Sequence, residues 1–172
     1  MDQRTLADYR ARSQAIAFRA AQLTRLTAEA RRRYVLRSNA LWMGRLVDEA
    51  GATASRAFAD LGTNYPALIE EARGLGLFDT FYCVDPLPGL EEACGQQGAS
   101  LASPAPGSLA AVTAFEQIEN QFSPQAMLRR AWEWLAPGGM LFFTTRTISG
   151  FDLAVLWDKT PYISVPEHLN LL

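Results

Sequence analysis

The stretch that decides the fold is Leu135-Ala136-Pro137-Gly138-Gly139, followed at once by Met140-Leu141-Phe142-Phe143-Thr144-Thr145. Pro-Gly-Gly is typical of the end of a helix, and the helix that it closes carries Leu128 and Trp132 at helical spacing. The apolar run that follows has the length and the residue types of a buried strand. A helix and a strand joined in this way form the second half of a βαβ crossover, so the stretch predicts a parallel α/β sheet.

From residue 52 onward, short β and α patterns alternate along the chain. Strands are predicted at 56–61, at 80–84 (a run of β-forming residues), at 109–115 and at 140–146, and a third strand plus loop is predicted at 100–107. Helical patterns lie at 66–73, 89–94 and 124–135. This alternation predicts a Rossmann-like, doubly wound parallel sheet of order 3-2-1-4-5, with right-handed crossovers and helices on both faces.

The first 51 residues have a different pattern. Residues 5–33 contain no Pro or Gly and are rich in Ala, Leu, Arg and Gln, which predicts a helix, and a second helix is expected at 34–50, before Gly51. So few residues hardly enclose a core of their own. We therefore expect an N-terminal helical arm, 1–51, beside one α/β domain, 52–172.

The charge is distributed unevenly over the 172 residues. Residues 1–50 carry ten Arg and five acidic residues, a formal charge of +5, whereas residues 51–172 carry −7. The dense basic run Arg31-Arg32-Arg33 either binds nucleic acid or packs on the acidic body of the protein. Because no aromatic residues are interleaved with basic ones at stacking spacing, we expect no nucleic-acid partner.

Other function classes are disfavoured by composition. No apolar run approaches the roughly 20 residues that a membrane span needs, and the N-terminus lacks the apolar region of a signal peptide. Cys83 and Cys94 have neither metal-ligand spacing nor a histidine cluster beside them. We expect a cytoplasmic protein with reduced thiols, no metal site and no membrane partner.

The loop after the first strand is the first candidate for a ligand site, because ligands bind at the carboxyl ends of the strands of such a sheet. It reads Asp60-Leu61-Gly62-Thr63-Asn64-Tyr65-Pro66. Gly62 allows a close approach of the backbone to a ligand, and Asn64 is the best non-glycine residue for a positive φ. Pro66 lacks an amide donor at the start of the next helix.

The second strand ends at Asp85-Pro86. A carboxylate at this strand end is well placed to accept hydrogen bonds from both hydroxyls of a ribose. The alternative is that Asp85 caps the short helix that follows.

These motifs resemble those of class I S-adenosylmethionine-dependent methyltransferases over residues 57–172. The loop at 60–66 looks like the Asp-x-Gly-x-Gly-x-Gly cofactor loop, residues 113–120 look like the segment after the fourth strand, and residues 135–141 match Leu-x-Pro-Gly-Gly-x-Leu. The resemblance implies methyl transfer from S-adenosylmethionine to an oxygen or nitrogen of a small molecule or sugar. It also implies that the cofactor is held by Asp60, Leu61, Gly62, Thr63, Asn64, Asp85, Pro86, Ala114, Phe115 and Glu116.

The chain departs from this family pattern at several positions. Asn64 and Pro66 replace two loop glycines, Asn120 replaces a histidine, and residues 102–108 lack the usual acid for the adenine amine. Family members also continue into antiparallel strands beyond the equivalent of Leu172. The alternative to an enzyme is therefore a catalytically inactive, methyltransferase-like binding or assembly module, which a second copy or a completing partner chain would extend.

Glu119 and His168 are the candidate catalytic residues. Either could act as a general base if the acceptor loses a proton during attack. The alternatives stay open: His168 is a surface residue near the chain end, Glu116 and Glu119 orient a substrate hydroxyl or cap the next turn, and Phe115 flanks an adenine or packs in the core.

Overall fold

Four parallel strands form the core of the protein in the computed structural model, which describes residues 29–51, 54–145 and 147. They are β1 (Ala57–Leu61), β2 (Thr80–Val84), β3 (Leu109–Phe115) and β4 (Leu135–Thr144), in the order β2-β1-β3-β4. β1 pairs in parallel with β2 and with β3, and β3 pairs in parallel with β4. The predicted parallel α/β sheet is confirmed.

Helices cover both faces of this sheet. A π-helical turn (Arg32–Leu36) leads into α1 (Arg37–Ala50), and α2 (Ala67–Gly74), α3 (Glu91–Gln96), a 3-10 turn (Ile118–Asn120) and α4 (Pro124–Trp134) follow. α1, α2 and α3 bury Met43, Ile69 and Cys94 against one face, whereas α4 buries Met127 and Trp134 against the other. None of the helices within the described residues is long and apolar enough to cross a membrane.

The predicted third strand at 100–107 is wrong, and with it the order 3-2-1-4-5. Only Ser100 takes part in pairing, as a single parallel bridge to Tyr82. Its amide donates to the Phe81 carbonyl at 2.8 Å and its carbonyl accepts from the Cys83 amide at 2.9 Å. The ladder stops there because the segment runs into Pro104 and Pro106, which have no amide hydrogen to donate.

The Pro-Gly-Gly segment lies within β4 and not between a helix and a strand. Leu135 pairs with Leu109 and Met140 with Ala111, so residues 136–139 form a bulge opposite a single residue of β3. A Cβ on Gly139 would lie 2.7 Å from the Leu109 carbonyl oxygen and 2.9 Å from that of Ala136. Glycine is therefore required for close packing of two backbones at this point.

The helix predicted at 34–50 forms and ends at Gly51, which adopts the left-handed conformation, φ 52°. It packs directly on the sheet, since Met43 belongs to the same buried cluster as Phe58 and Phe78. Most of the helix predicted at 5–33 lies outside the described residues. The division into an arm and a domain at residue 51 stays a prediction.

The basic run at 31–33 packs on acidic residues of the protein, which is one of the two interpretations of its sequence. Arg32 Nε binds Glu71 at 2.8 Å and its Nη2 binds Glu70 at 2.7 Å. Arg31 Nη1 lies 3.2 Å from Glu116 Oε2. These ion pairs connect the helical segment before α1 to α2 and to the loop after β3.

Gly139→Ala should destabilise the fold by about 1–3 kcal/mol, because the new methyl group meets two backbone oxygens that cannot move independently of the sheet. Urea unfolding followed by circular dichroism measures the loss. Gly95→Ala in α3 is the matched control, because a Cβ there meets nothing within 4 Å and alanine favours helix by up to about 1 kcal/mol. Equal stability of the two variants would contradict the bulge.

Candidate functional site at the carboxyl ends of β1, β2 and β3

The strand order places a topological switch point between β1 and β3. β1 connects through α2 to β2 on one side, and the chain then crosses back to β3 on the other side of β1. Crevices outside the carboxyl ends of strands at such a point are the usual ligand sites of open α/β sheets. The loops that begin at Gly62, Asp85 and Glu116 all lie at this edge.

The loops after β1 and β2 are joined by backbone hydrogen bonds. The Gly62 amide donates to the Val84 carbonyl at 2.7 Å, and the Leu87 amide donates to the Thr63 carbonyl at 3.0 Å. Gly62 has φ 74°, a conformation that side chains disfavour. The sequence-predicted neighbours Gly62 and Asp85 are thus brought together at one edge of the sheet.

Asp60 is a buried carboxylate at the end of β1. The Thr113 hydroxyl donates to its Oδ1 at 2.7 Å, and the Thr63 hydroxyl donates to its backbone oxygen at 3.0 Å. Burial raises the pKa of Asp60 from 3.8 to about 6, although the hydrogen bonds from Thr113 and Thr63 lower it. Leu61 and Thr63 are buried as well. These residues therefore shape the loop from below and expose little side chain to a ligand.

Asn64 and Pro66 form the rest of the β1 loop. The proposal that Asn64 takes a positive φ is wrong: among the described non-glycine residues only Asp85 and Glu116 do so. The loop turns at Gly62 instead, so residue 64 does not need glycine. Pro66 is the residue before α2, where the absence of its amide hydrogen has no effect on the helix.

Asp85 lies in the left-handed region, φ 49°, directly after β2. Its Oδ2 accepts a hydrogen bond from Arg130 Nη2 on α4, and the Arg130 guanidinium lies over the Trp134 ring, 5.0 Å from its centroid. The capping alternative for Asp85 is wrong, because α3 begins only at Glu91 and has no side-chain cap. Pro86 follows, half-buried.

Glu116 mirrors Asp85 at the end of β3, with φ 56°. Its carboxylate pairs with Arg31, whose guanidinium also lies 4.8 Å from the Tyr65 ring centroid. The two residues before it differ in exposure. Ala114 is buried, and Phe115 packs on the cluster of Leu36, Ala40 and Leu68, which agrees with the core-packing alternative for Phe115.

Gln117 was not predicted as a site residue, yet it lies at the centre of the switch point. Its Oε1 is 2.4 Å from the position that a Cβ on Gly62 would take, and only 7% of the residue is exposed. Arg130 and Thr113 were missed in the same way. These three residues reach the site from different parts of the chain, and no local sequence pattern indicates that they meet there.

Of the two catalytic candidates, Glu119 is placed and His168 lies outside the described residues. Glu119 is buried in the 3-10 turn after β3. It does not cap α4, since the Ser123 hydroxyl accepts the Ala126 amide there at 3.2 Å. Asn120, which replaces the expected histidine, donates from Nδ2 to the Glu116 carbonyl at 2.9 Å and so fixes this loop.

The two cysteines lie beneath the site as free, buried thiols. Burial raises the pKa of Cys83 and also that of Cys94, which keeps both thiols protonated and poorly nucleophilic at neutral pH. In the part of the chain that the structure describes, no three His, Cys, Asp or Glu side chains are grouped so that they could hold a metal ion.

Asp60 predicts a pH dependence of stability. Its folded pKa exceeds its unfolded value, so the folded state binds more protons between pH 4 and 6, and stability falls as the pH rises through this window. For a pKa shift of this size, the free energy of unfolding falls by about 3 kcal/mol across the window. Relative to wild type, Asp60→Asn should gain stability of that order from pH 4 to pH 7 in urea unfolding. Asp48→Asn, at an exposed position of α1, is the control. If the stability difference between Asp60→Asn and wild type does not change with pH, the raised pKa of Asp60 is refuted.

The chain is similar in sequence to curated proteins. No model of a known protein family matches the chain. The chain is 33% identical over 133 residues to the ubiquinone biosynthesis O-methyltransferases of three strains of Xanthomonas campestris pv. campestris, a match that covers 72% of this chain and 52% of each relative. The chain thus spans about half the length of the curated relatives that it matches. This similarity supports a relationship with methyltransferases.

Proposed function

We propose that the chain contains a class I methyltransferase domain that binds S-adenosylmethionine at the β1–β3 switch point. The observation that carries the proposal is the 2.7 Å hydrogen bond from the Gly62 amide to the Val84 carbonyl, which sets the turn at Gly62 beside Asp85. A turn and a carboxylate so arranged suit the nucleoside part of the donor. The similarity to proteins named O-methyltransferases supports the same reading.

Asp85 fits the role of ribose-binding residue. Its side chain is 64% exposed, and Arg130 binds Oδ2 only, so Oδ1 can accept a hydrogen bond from a hydroxyl. We propose that the backbone of Gly62, Thr63 and Asn64 contacts the rest of the donor. Asp60 and Leu61 support that loop, Pro86 borders the ribose, and the segment Ala114-Phe115-Glu116 closes the opposite wall.

S-adenosylmethionine supplies a methyl group already activated by a sulfonium. The task of the protein is therefore to orient the acceptor and lower the entropic cost of the encounter. We propose an oxygen or nitrogen of a small molecule or sugar as acceptor, and the similarity to proteins named O-methyltransferases favours oxygen. Glu119, buried directly after β3, is the proposed general base, with His168 as the second candidate.

A second candidate function is a catalytically inactive, methyltransferase-like binding or assembly module. Three observations favour it. Gln117 covers Gly62, Arg130 engages Asp85, and the segment 102–108 offers no acid to an adenine amine. In this reading the crevice is filled by the protein's own side chains, and the domain serves as a surface for other molecules.

Further proposals concern organisation and location. We propose that residues 1–51 act as an arm beside the domain 52–172. The partners would be a small-molecule or sugar substrate, with no nucleic acid or membrane, and a second copy or a completing chain would extend the sheet. Two free, buried cysteines suit a reducing compartment, so we propose the cytoplasm.

Asp85→Ala should weaken binding of S-adenosylhomocysteine, the demethylated product, by about 10- to 100-fold, because hydrogen bonds between hydroxyls and a charged carboxylate are lost. Isothermal titration calorimetry measures the affinity. Asp79→Ala is the matched control: Asp79 pairs with Arg56 at the opposite end of β2, and its loss should leave the affinity unchanged.

Two outcomes would count against this function. Equal affinity of wild type and Asp85→Ala would remove Asp85 from the site. No detectable binding of either S-adenosylmethionine or its product at millimolar concentration would favour the inactive module.

A further inference from the structure

The Gln117 side chain fills the space that a side chain on Gly62 would take. Three of its atoms come within 3.0 Å of the position that a Cβ on residue 62 would occupy, namely Oε1 at 2.4 Å, Cδ at 2.6 Å and Cγ at 3.0 Å. The close approach that glycine permits at this point is therefore used by a side chain of the same protein. Gly62 is required by Gln117 even without a ligand.

This contact lies where the proposed donor would bind. Gly62 follows β1 and Gln117 follows β3, so the carboxamide connects the ends of the two strands at the switch point. A ligand that approaches Gly62 from the side where a Cβ would stand needs the space that Gln117 fills. The side chain and the ligand therefore compete for one surface.

The carboxamide is held in place by packing more than by hydrogen bonding. Within the described residues, its Nε2 donates to the Phe115 carbonyl at 3.4 Å, which is long for such a bond. Gln117 has three rotatable side-chain bonds, so an alternative rotamer can move Oε1 and Cδ off Gly62 while the backbone stays in place. Rotation of the Gln117 side chain would lose its packing contacts and one weak hydrogen bond.

We propose that Gln117 determines the affinity of the crevice by closing it over Gly62, so that donor binding requires its side chain to rotate away. The proposal rests on the function proposed above. When only a fraction of the molecules has the open rotamer, the apparent dissociation constant rises by the inverse of that fraction. If about one molecule in ten is open, removal of the side chain should strengthen binding about tenfold.

The test is calorimetric titration of S-adenosylhomocysteine into wild type and four variants of the whole chain. Gln117→Ala removes the three overlapping atoms, and Gln117→Asn is one methylene shorter and serves if the alanine variant does not fold. Gln117→Leu keeps the bulk without the amide. Gln125→Ala, at an exposed position of α4, is the matched control. Thermal unfolding of each variant is recorded in parallel.

Tighter binding by Gln117→Ala or Gln117→Asn, with Gln117→Leu and Gln125→Ala at or below the wild-type affinity, supports the proposal. If wild type binds and the shortened variants bind equally or more weakly, Gln117 is a packing residue and the proposal is overturned, while the cofactor site stands. If no variant binds at millimolar ligand, the cofactor site and the proposal fail together.

Discussion

The hydrogen bond from the Gly62 amide to the Val84 carbonyl is the constraint on which the site depends. It extends the β1–β2 pairing one residue beyond β1, and the positive φ of Gly62 then turns the chain away from the sheet. Because the bond joins two strand ends, it places the residue after Val84 beside Gly62 at the same edge of the sheet. Without this bond, Gly62 and Asp85 would still follow adjacent strands, but the position of one relative to the other would not be fixed.

The parts of the fold that follow from local pattern could be predicted from the sequence. The strands at 80–84 and 109–115 agree with β2 and β3 residue for residue, because each is a short, largely apolar run between turns. One error lies where a distant partner decides, since Leu135 joins β4 through its pairing with Leu109. The other has a local cause: the segment after Ser100 leaves the sheet because its prolines cannot continue the ladder.

The same distinction applies to the site. Asp60, Gly62, Asp85 and Glu116 could be identified because they stand at the ends of strands. Their partners could not: Gln117 meets Gly62, Arg130 meets Asp85 and Arg31 meets Glu116 across loops and helices far apart in the chain. The left-handed conformation at Glu116 carries no local sequence signal either, and the aspartate at 85 gives only a weak one, since Asp adopts this region more readily than most residues but far less than glycine. Tertiary geometry imposes both conformations.

What holds those two acids in place decides how a ligand can reach them. A non-glycine residue in the left-handed region costs about 1–3 kcal/mol, whereas an exposed ion pair contributes about 0.2–1 kcal/mol. Both arginine pairs are well exposed, so they do not offset the strain. The sheet does so instead: the Glu116 amide is bound to the Thr144 carbonyl at 3.1 Å, and Asp85 follows the residue that accepts the Gly62 bond. A ligand can therefore displace Arg31 or Arg130 from its carboxylate while the backbone that presents the carboxylate stays in place.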